Sequence, residues 1–303
     1  MYGLTLIFFL SGLSALVYQL LWMRQLGFIF GNTIYASSVV LTAFMGGLAL
    51  GSHWFGRVAQ RLREPIKAFA LLEWTVAAYA LVLPFLFSGL RGLYVWASQQ
   101  VSSELWFLTP FRFVLAILLL LVPTVCMGAT LPVLMRGVAY DETKFGARMA
   151  WLYGINTLGA VAGVMLSGFY LIPTFGLTRT NQLAAGSEVL AGLAAWFMAH
   201  RFRAAAGEPV GEARNVRWST LSAEARSAIL LATLCGFVSL ALEVIWYRAL
   251  ILVFGSTTYS FTVMLSVFLL GMALGSMLIS PFLDRLRHRC PILCVMVALV
   301  GFY

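Results

Sequence analysis

Long apolar stretches, separated by short polar ones, run through the whole chain. A membrane-spanning helix needs about 20 apolar residues, because in lipid every backbone polar group must find its partner within the helix. The pattern predicts eight spans, near 4–23, 34–55, 68–88, 112–135, 149–172, 182–199, 228–246 and 258–282. A ninth begins at Pro291, but only 13 residues run from there to Tyr303. We expect either a fragment of a longer protein or a chain that ends within the bilayer.

The apolar stretches contain an internal repeat. Residues 12–52 and 236–276 align without a gap at an offset of 224, and 17 of the 41 positions are identical. The offset encloses six predicted spans, an even number, so both copies enter the membrane in the same direction. Parallel repeats of this kind are typical of transporters such as those of the major facilitator superfamily. We predict an all-α polytopic membrane protein with a major-facilitator-like parallel repeat and about 8–9 spans: a first six-helix repeat (1–200), a cytoplasmic linker (201–227) and an incomplete second repeat (228–303).

Composition and charge support a membrane protein and set its orientation. Hydrophobic residues make up 61% of the chain and charged residues 10%, whereas soluble domains carry roughly a quarter charged residues. The net charge of +9 comes from short basic clusters that follow the even-numbered spans, which places those loops and the N-terminus in the cytoplasm. The bilayer is the expected partner, and no nucleic acid is expected. Cys290 and Cys294 have no His or third Cys nearby, so we expect buried thiols, no metal and no cofactor.

Four strings carry a family resemblance: SGLSALVYQLLWMRQLGFIFGNTIYA, AFMGGLALGS, PTVCMGATLPVL and LYGINTLGAVAGVMLSGFYLIPTFGL. Together with the second repeat copy, they resemble the membrane part of bacterial fused major-facilitator/spermidine-synthase proteins. The resemblance implies a multi-pass protein of the bacterial cytoplasmic (inner) membrane with a link to polyamine chemistry. Members typically carry a C-terminal domain similar to aminopropyltransferases. No such domain stands in this sequence, so no catalytic residue can be named.

Ionisable groups within the predicted spans are candidates for function, because a charge inside the bilayer needs a partner or a role. Glu243 lies in span seven, and its repeat partner in the first copy is Gln19. A buried carboxylate could bind a cationic substrate such as a polyamine, or carry a proton. The alternative is a structural ion pair with Arg248, five residues further on. Arg24 and Arg248 are also candidates, although long side chains near the membrane surface can simply reach the headgroups.

Three further polar residues lie inside predicted spans. Glu73 either takes part in a site or pairs with Arg57 or Lys67 near the cytoplasmic face. Asn156, in the stretch GINTLGAVAG, is a candidate that could equally form a hydrogen bond across a helix interface. Glu188 faces either a cavity or the membrane interface.

The loop between spans two and three holds candidates for gating. Major facilitator proteins usually place Gly, Asp and basic residues there, and this chain has Arg57 and Arg61 with Gln60 at the expected Asp position. The second copy keeps the acid as Asp284, followed by Arg285. A carboxylate beside an arginine can hold one conformation. The alternative is that these are ordinary solvated loop charges.

Glycines four residues apart predict close helix packing, since small residues let neighbouring backbones approach. They are Gly47 and Gly51, Gly159 and Gly163, and Gly271 and Gly275.

Three functions remain open at this point. The chain is a transporter-like domain that handles polyamines or other cationic amines, or the membrane anchor of a spermidine-synthase-like enzyme, or a structural subunit of a larger membrane complex or oligomer. The substitution Glu243→Gln separates the first from the others, because lost amine uptake with normal folding would support a transporter.

Overall fold

The structure, a computed structural model, describes residues 2–31, 34–100, 105–138, 145–202, 221–255 and 257–283. These ranges form helices and contain no strand. The helices are α1 Tyr2–Phe30, α2 Ile34–Val58, α3 Pro65–Gln100, α4 Leu105–Val138, α5 Phe145–Leu166, α6 Ile172–Phe202, α7 Ala223–Phe254 and α8 Thr257–Leu283. The predicted ninth span, residues Cys290 and Cys294, and most of the 201–227 linker lie outside the described residues. Helix α7 begins at Ala223, inside that predicted linker.

Seven helical runs among the described residues are long and apolar enough to cross a membrane. One of them, Gly146–His200, has 55 residues and joins α5 to α6 through a π-helical turn at Ser167–Leu171. At 1.5 Å per residue it would be about 80 Å long, more than twice the hydrocarbon thickness of a bilayer. Gly176 interrupts it with a φ of +72°, a conformation that suits glycine because no Cβ obstructs it. The run therefore has the length of the two spans predicted at 149–172 and 182–199.

The two copies of the repeat end their first helix in the same way. Helix α1 ends at Phe30 and α7 at Phe254, which are 224 residues apart. Each is followed by a glycine in the left-handed region, Gly31 at φ +87° and Gly255 at +64°. The Gly255 N–H closes α7 by donating to the Ile251 carbonyl at 2.9 Å. The local structures correspond, and the major-facilitator-like arrangement as a whole stays a prediction.

Helices α1 to α6 form the packed body of the molecule. Helix α1 lies against α5 and α6, α2 packs along α4, and α3 lies between α4 and α6. Large buried side chains on α1 anchor this core, where Tyr18 stacks on Trp22 with ring centroids 5.2 Å apart. Trp22 in turn contacts Phe44 of α2.

Helices α7 and α8 are attached to this body unequally. Helix α8 packs along α5, where Ser276 and Ser280 each donate a hydroxyl hydrogen bond to an α5 carbonyl at 2.6 and 2.8 Å. Helix α7 packs mainly against α8, and only 6% of its apolar window is buried, compared with 61% for α1. The two repeat copies therefore have the same first helix in very different surroundings.

Candidate functional site

Glu243 lines a small pocket where α7 and α8 meet α1 and α2. Its side chain is 2% exposed. The other lining residues are Met23 of α1, Ser37, Ser38 and Leu41 of α2, Val244 and Tyr247 of α7, and Phe261 and Met264 of α8. The enclosed space has room for about one water molecule. The pocket thus lies between the two copies of the repeat, and we call it the Glu243 pocket.

The Glu243 pocket combines a carboxylate with hydroxyls and aromatic rings. The Glu243 Oε1 atom is buried and has no hydrogen-bond partner among the described residues. Ser37 of α2 and Tyr247 of α7 line the same space. The Tyr247 ring meets Phe261 edge to face, with centroids 5.4 Å apart. Carboxylate, hydroxyl and aromatic groups are the side chains that bind ammonium ions, through charge, hydrogen bonds and cation–π contact.

The two candidate arginines lie away from this carboxylate. Arg248 is exposed, and within the described part of the chain no ion pair joins it to Glu243. The structural ion pair considered from the sequence is therefore not formed there, because Arg248 lies on the outer surface of α7. Arg24 is half-buried, with its guanidinium carbon 6.0 Å from the centre of the Phe28 ring. Gln19, the repeat partner of Glu243, is 3% exposed in the body formed by the first six helices.

A second buried acidic site joins α3 and α6 to α1. Glu73 of α3 is 1% exposed and Glu188 of α6 is 2% exposed. Ser11 of α1 donates a hydrogen bond to Glu73 Oε1 at 2.7 Å. Lys67, one of the partners considered for Glu73, instead pairs with Glu64 at 2.9 Å. We call Glu73 and Glu188 the carboxyl pair.

Asn156 and the two glycines that follow it, Gly159 and Gly163, lie where α5 touches α1. Asn156 Nδ2 donates to the Phe8 carbonyl at 2.9 Å. A Cβ at Gly159 would lie 2.0 Å from the Phe9 carbonyl oxygen, and one at Gly163 would lie 2.1 Å from that of Leu13. Asn156 therefore spans a helix interface, and its role in substrate binding stays a prediction.

The other glycine pairs behave differently from each other. Gly47 and Gly51 of α2 lie against Thr124 and Val125 of α4, leaving no room for a Cβ. Gly271 and Gly275, their counterparts in α8, have no atom within 4 Å of a Cβ position among the described residues. No described helix takes the place beside α8 that α4 takes beside α2, so the packing expected for this third pair stays a prediction.

The gating candidates are only partly described. Arg57 and Arg61 are exposed, while Asp284 and Arg285 lie outside the described residues. A cleft of about 290 Å³ opens nearby between the ends of α2 and α4 and the start of α5, and Gln60 lines it. Any contact between the two copies of this loop stays a prediction.

Sequence reasoning missed the neutral members of both sites. Ser37, Ser38 and Tyr247 were not singled out beside Glu243, nor were Ser11 and Tyr18 beside the carboxyl pair. Hydroxyl groups within apolar spans were the available signal, because such groups form hydrogen bonds inside the protein in lipid.

Comparison with known proteins adds a chemical context to this geometry. The chain is similar to polyamine aminopropyltransferases. It is 27% identical over 192 residues to polyamine aminopropyltransferase 1 of Streptomyces coelicolor, covering 63% of this chain and 33% of that protein. It is 29% identical over 185 residues to the polyamine aminopropyltransferase of Corynebacterium efficiens, covering 59% and 32%. It is 28% identical over 204 residues to polyamine aminopropyltransferase 2 of Ralstonia nicotianae, covering 67% and 36%.

The chain spans about a third of the length of the curated relatives it matches. No protein-family profile matches it, and no solved structure does. The similarity agrees with the link to spermidine-synthase-like proteins that the sequence motifs implied. The fused major-facilitator family and the functional roles of the candidate residues stay predictions.

Proposed function

We propose that the chain is the membrane domain of a protein related to polyamine aminopropyltransferases, and that it binds a primary amine of the polyamine class in the Glu243 pocket. It lies in the bacterial inner membrane with its N-terminus in the cytoplasm. The names of the relatives, the apolar helices and the basic loops support this proposal. That this chain shares any activity of its full-length relatives is part of the proposal.

The observation that carries the proposal is the buried carboxylate of Glu243 beside a space of about one water molecule. A primary ammonium group has about that size, and it can donate three hydrogen bonds. Glu243 has an oxygen without a partner, and the Ser37 and Ser38 side chains line the same space. A carboxylate buried without a cation is costly, so an ammonium head group would remove that cost on binding.

The size of the pocket makes the proposal selective. An –NH₃⁺ group would fit beside Glu243, whereas the trimethylammonium group of choline is larger and would not. The rest of a polyamine would extend out of the pocket between α2 and α7. We therefore expect primary amines such as spermidine to bind, and choline to fail to compete.

The test is equilibrium binding of radiolabelled spermidine to the purified full chain in lipid nanodiscs. We expect saturable binding that unlabelled putrescine displaces and choline does not. Glu243→Gln should weaken it on the order of tenfold or more, because the variant removes the partner of a buried charge. Glu64→Gln is the matched control, since Glu64 pairs with Lys67 at the start of α3.

Three results would contradict the proposal. They are an absence of saturable spermidine binding, equal competition by choline, and a Glu243→Gln variant that is folded by circular dichroism and binds like the wild type. A Glu243→Asp variant keeps the negative charge but shortens the side chain. It therefore distinguishes the effect of losing the charge from the effect of changing the shape of the pocket. It should retain more affinity than Glu243→Gln.

Uptake into sealed vesicles then distinguishes the roles that follow binding. A transporter-like domain moves spermidine across the bilayer, and Glu243→Gln abolishes the movement. An anchor that presents the amine to a soluble synthase domain binds it without transport. A structural subunit, assembled with other membrane proteins or further copies, does neither.

A further inference from the structure

An open cleft of about 510 Å³ lies where the start of α3 meets the end of α6. Three of its lining residues are charged, namely Arg63, Glu64 and Lys67, and the apolar ones include Leu71 and Trp196. No residue lines both this space and the Glu243 pocket. We call it the α3–α6 cleft.

A lysine and two tryptophans join the two helices at this cleft. Lys67 Nζ of α3 lies 5.2 Å from the centre of the Trp196 ring of α6, a distance at which cation–π attraction acts. The ring centres of Trp196 and Trp74 are 5.5 Å apart. The Trp74 indole N–H donates to the Val189 carbonyl at 3.3 Å, and a Cβ at Gly192 would collide with that indole. These contacts hold the Lys67 ammonium group beside an aromatic face at one end of the bundle.

The charges of the α3–α6 cleft favour an anion. Arg63 is exposed, and Lys67 forms an ion pair with Glu64 at 2.9 Å while 23% of its side chain stays accessible. Two cations and one carboxylate give the lining one net positive charge. An ammonium group has three N–H donors, and Glu64 takes one of them, so the accessible ammonium can also donate to a phosphate oxygen.

Apolar side chains continue from the cleft along the outer surface of α3 and α6. Leu71 lies one turn after Lys67, Leu193 lies one turn before Trp196, and both leucines are exposed. The two helices belong to runs that are long and apolar enough to cross a membrane, where exposed leucines meet acyl chains. Lysine and tryptophan are typical of the boundary between hydrocarbon and headgroups. Charge near the helix end followed by an apolar surface matches the shape of a phospholipid.

We propose that the α3–α6 cleft binds one anionic phospholipid, whose phosphate contacts Lys67 and Arg63 and whose acyl chain lies along Trp196 and Leu71. A free phosphate would leave the apolar part of the lining uncovered, so the lipid is the occupant that fits both parts. In the orientation proposed above, the lipid belongs to the cytoplasmic leaflet. The site does not involve Glu243, so it stands apart from the binding of amines.

The test is native mass spectrometry of the purified full chain in detergent micelles, titrated with phosphatidylglycerol or with phosphatidylcholine of the same acyl chains. We expect one phosphatidylglycerol to bind more tightly than phosphatidylcholine. Lys67→Gln should weaken phosphatidylglycerol binding about fivefold, the contribution of one basic residue near anionic headgroups. Arg226→Gln is the matched control, because Arg226 is an exposed cation at the start of α7 and does not line the cleft.

Two further variants make the charge dependence specific. Glu64→Gln removes the one carboxylate among the lining residues, so it should tighten phosphatidylglycerol binding, opposite to the effect of Lys67→Gln. Arg63→Gln should weaken binding, and because Arg63 is exposed this change leaves the packing of the helices intact.

Four results would overturn the proposal. They are equal affinity for the two lipids, a Lys67→Gln variant that is folded by circular dichroism and binds like the wild type, an equal loss in Arg226→Gln, and displacement of the lipid by glycerophosphoglycerol. The last is the headgroup without acyl chains, and its success would show a site for a free phosphate. Glu243→Gln should bind phosphatidylglycerol like the wild type, so the lipid site and the amine site are tested separately.

Discussion

The contact between α1 and α5 should fail if one methyl group is added at Gly163. A Cβ there would lie 2.1 Å from the carbonyl oxygen of Leu13, a distance that real Cβ atoms do not show, since such contacts stay above 3.0 Å. The obstacle is backbone within α1, so it cannot rotate away as a side chain would. Gly163→Ala therefore increases the distance between the two helices by about 1 Å at this point.

The magnitude follows from comparison with a glycine in open space. Gly186 of α6 has no atom within 4 Å of its Cβ position. Both Gly→Ala changes gain about 1 kcal/mol of helix propensity, which cancels when the two variants are compared. What remains for Gly163→Ala is the cost of overpacking, about 1–3 kcal/mol. A gap of 0.5–1 Å also forfeits about a quarter to a half of each dispersion contact it opens.

The assay is reversible unfolding of the purified chain in mixed micelles, followed by circular dichroism. We expect Gly163→Ala to be less stable than Gly186→Ala by about 1–3 kcal/mol. Equal stabilities would refute the reasoning, because they would mean that the backbones of α1 and α5 are not in contact at Gly163.

Two further changes test the helix ends and the attachment of α8. Gly176→Ala should destabilise the protein by about 1–2 kcal/mol, since a side chain is strained at φ +72°. Thermal unfolding measures this change. An unchanged melting temperature would argue against an interruption of the helix at Gly176. Ser276→Ala removes the hydroxyl hydrogen bond to α5 and should lower the free energy of unfolding by about 0.6 kcal/mol. A larger distance between spin labels on α5 and α8 would report the same loss. An unchanged distance with unchanged stability would contradict this prediction.

The sequence predicted the helices well and their lengths poorly. The apolar run at 4–23 located α1, but the helix continues to Phe30 and stops at Gly31. Hydropathy marks the part of a helix that lies in hydrocarbon, while the end depends on the chain finding a residue that can leave the helix. Glycine in the left-handed region supplies that end in both copies of the repeat, at Gly31 and at Gly255.

The candidate site could be predicted only one helix at a time. Glu243 and Glu73 stood out because a carboxylate in an apolar span is conspicuous in a sequence. That Glu188 lies beside Glu73 depends on the rotation of α3 against α6, and one sequence does not specify that rotation. The Ser11 hydrogen bond to Glu73 depends on α1 as well. The sequence offered Arg57 or Lys67 as partners of Glu73, and among the described residues Lys67 pairs with Glu64 instead.

Within the described part of the chain, the unequal burial of α1 and α7 gives the Glu243 pocket one firmly packed wall and one loosely packed wall. Helix α1 is fixed by α5 and α6, so moving it disturbs the core around Tyr18 and Trp22. Helix α7 contributes Glu243 itself, yet it packs mainly on α8. Among the contacts of the described residues, widening the pocket disturbs the fewest when α7 moves. A ligand larger than one ammonium group would displace its own carboxylate-bearing wall and leave the six-helix body unchanged.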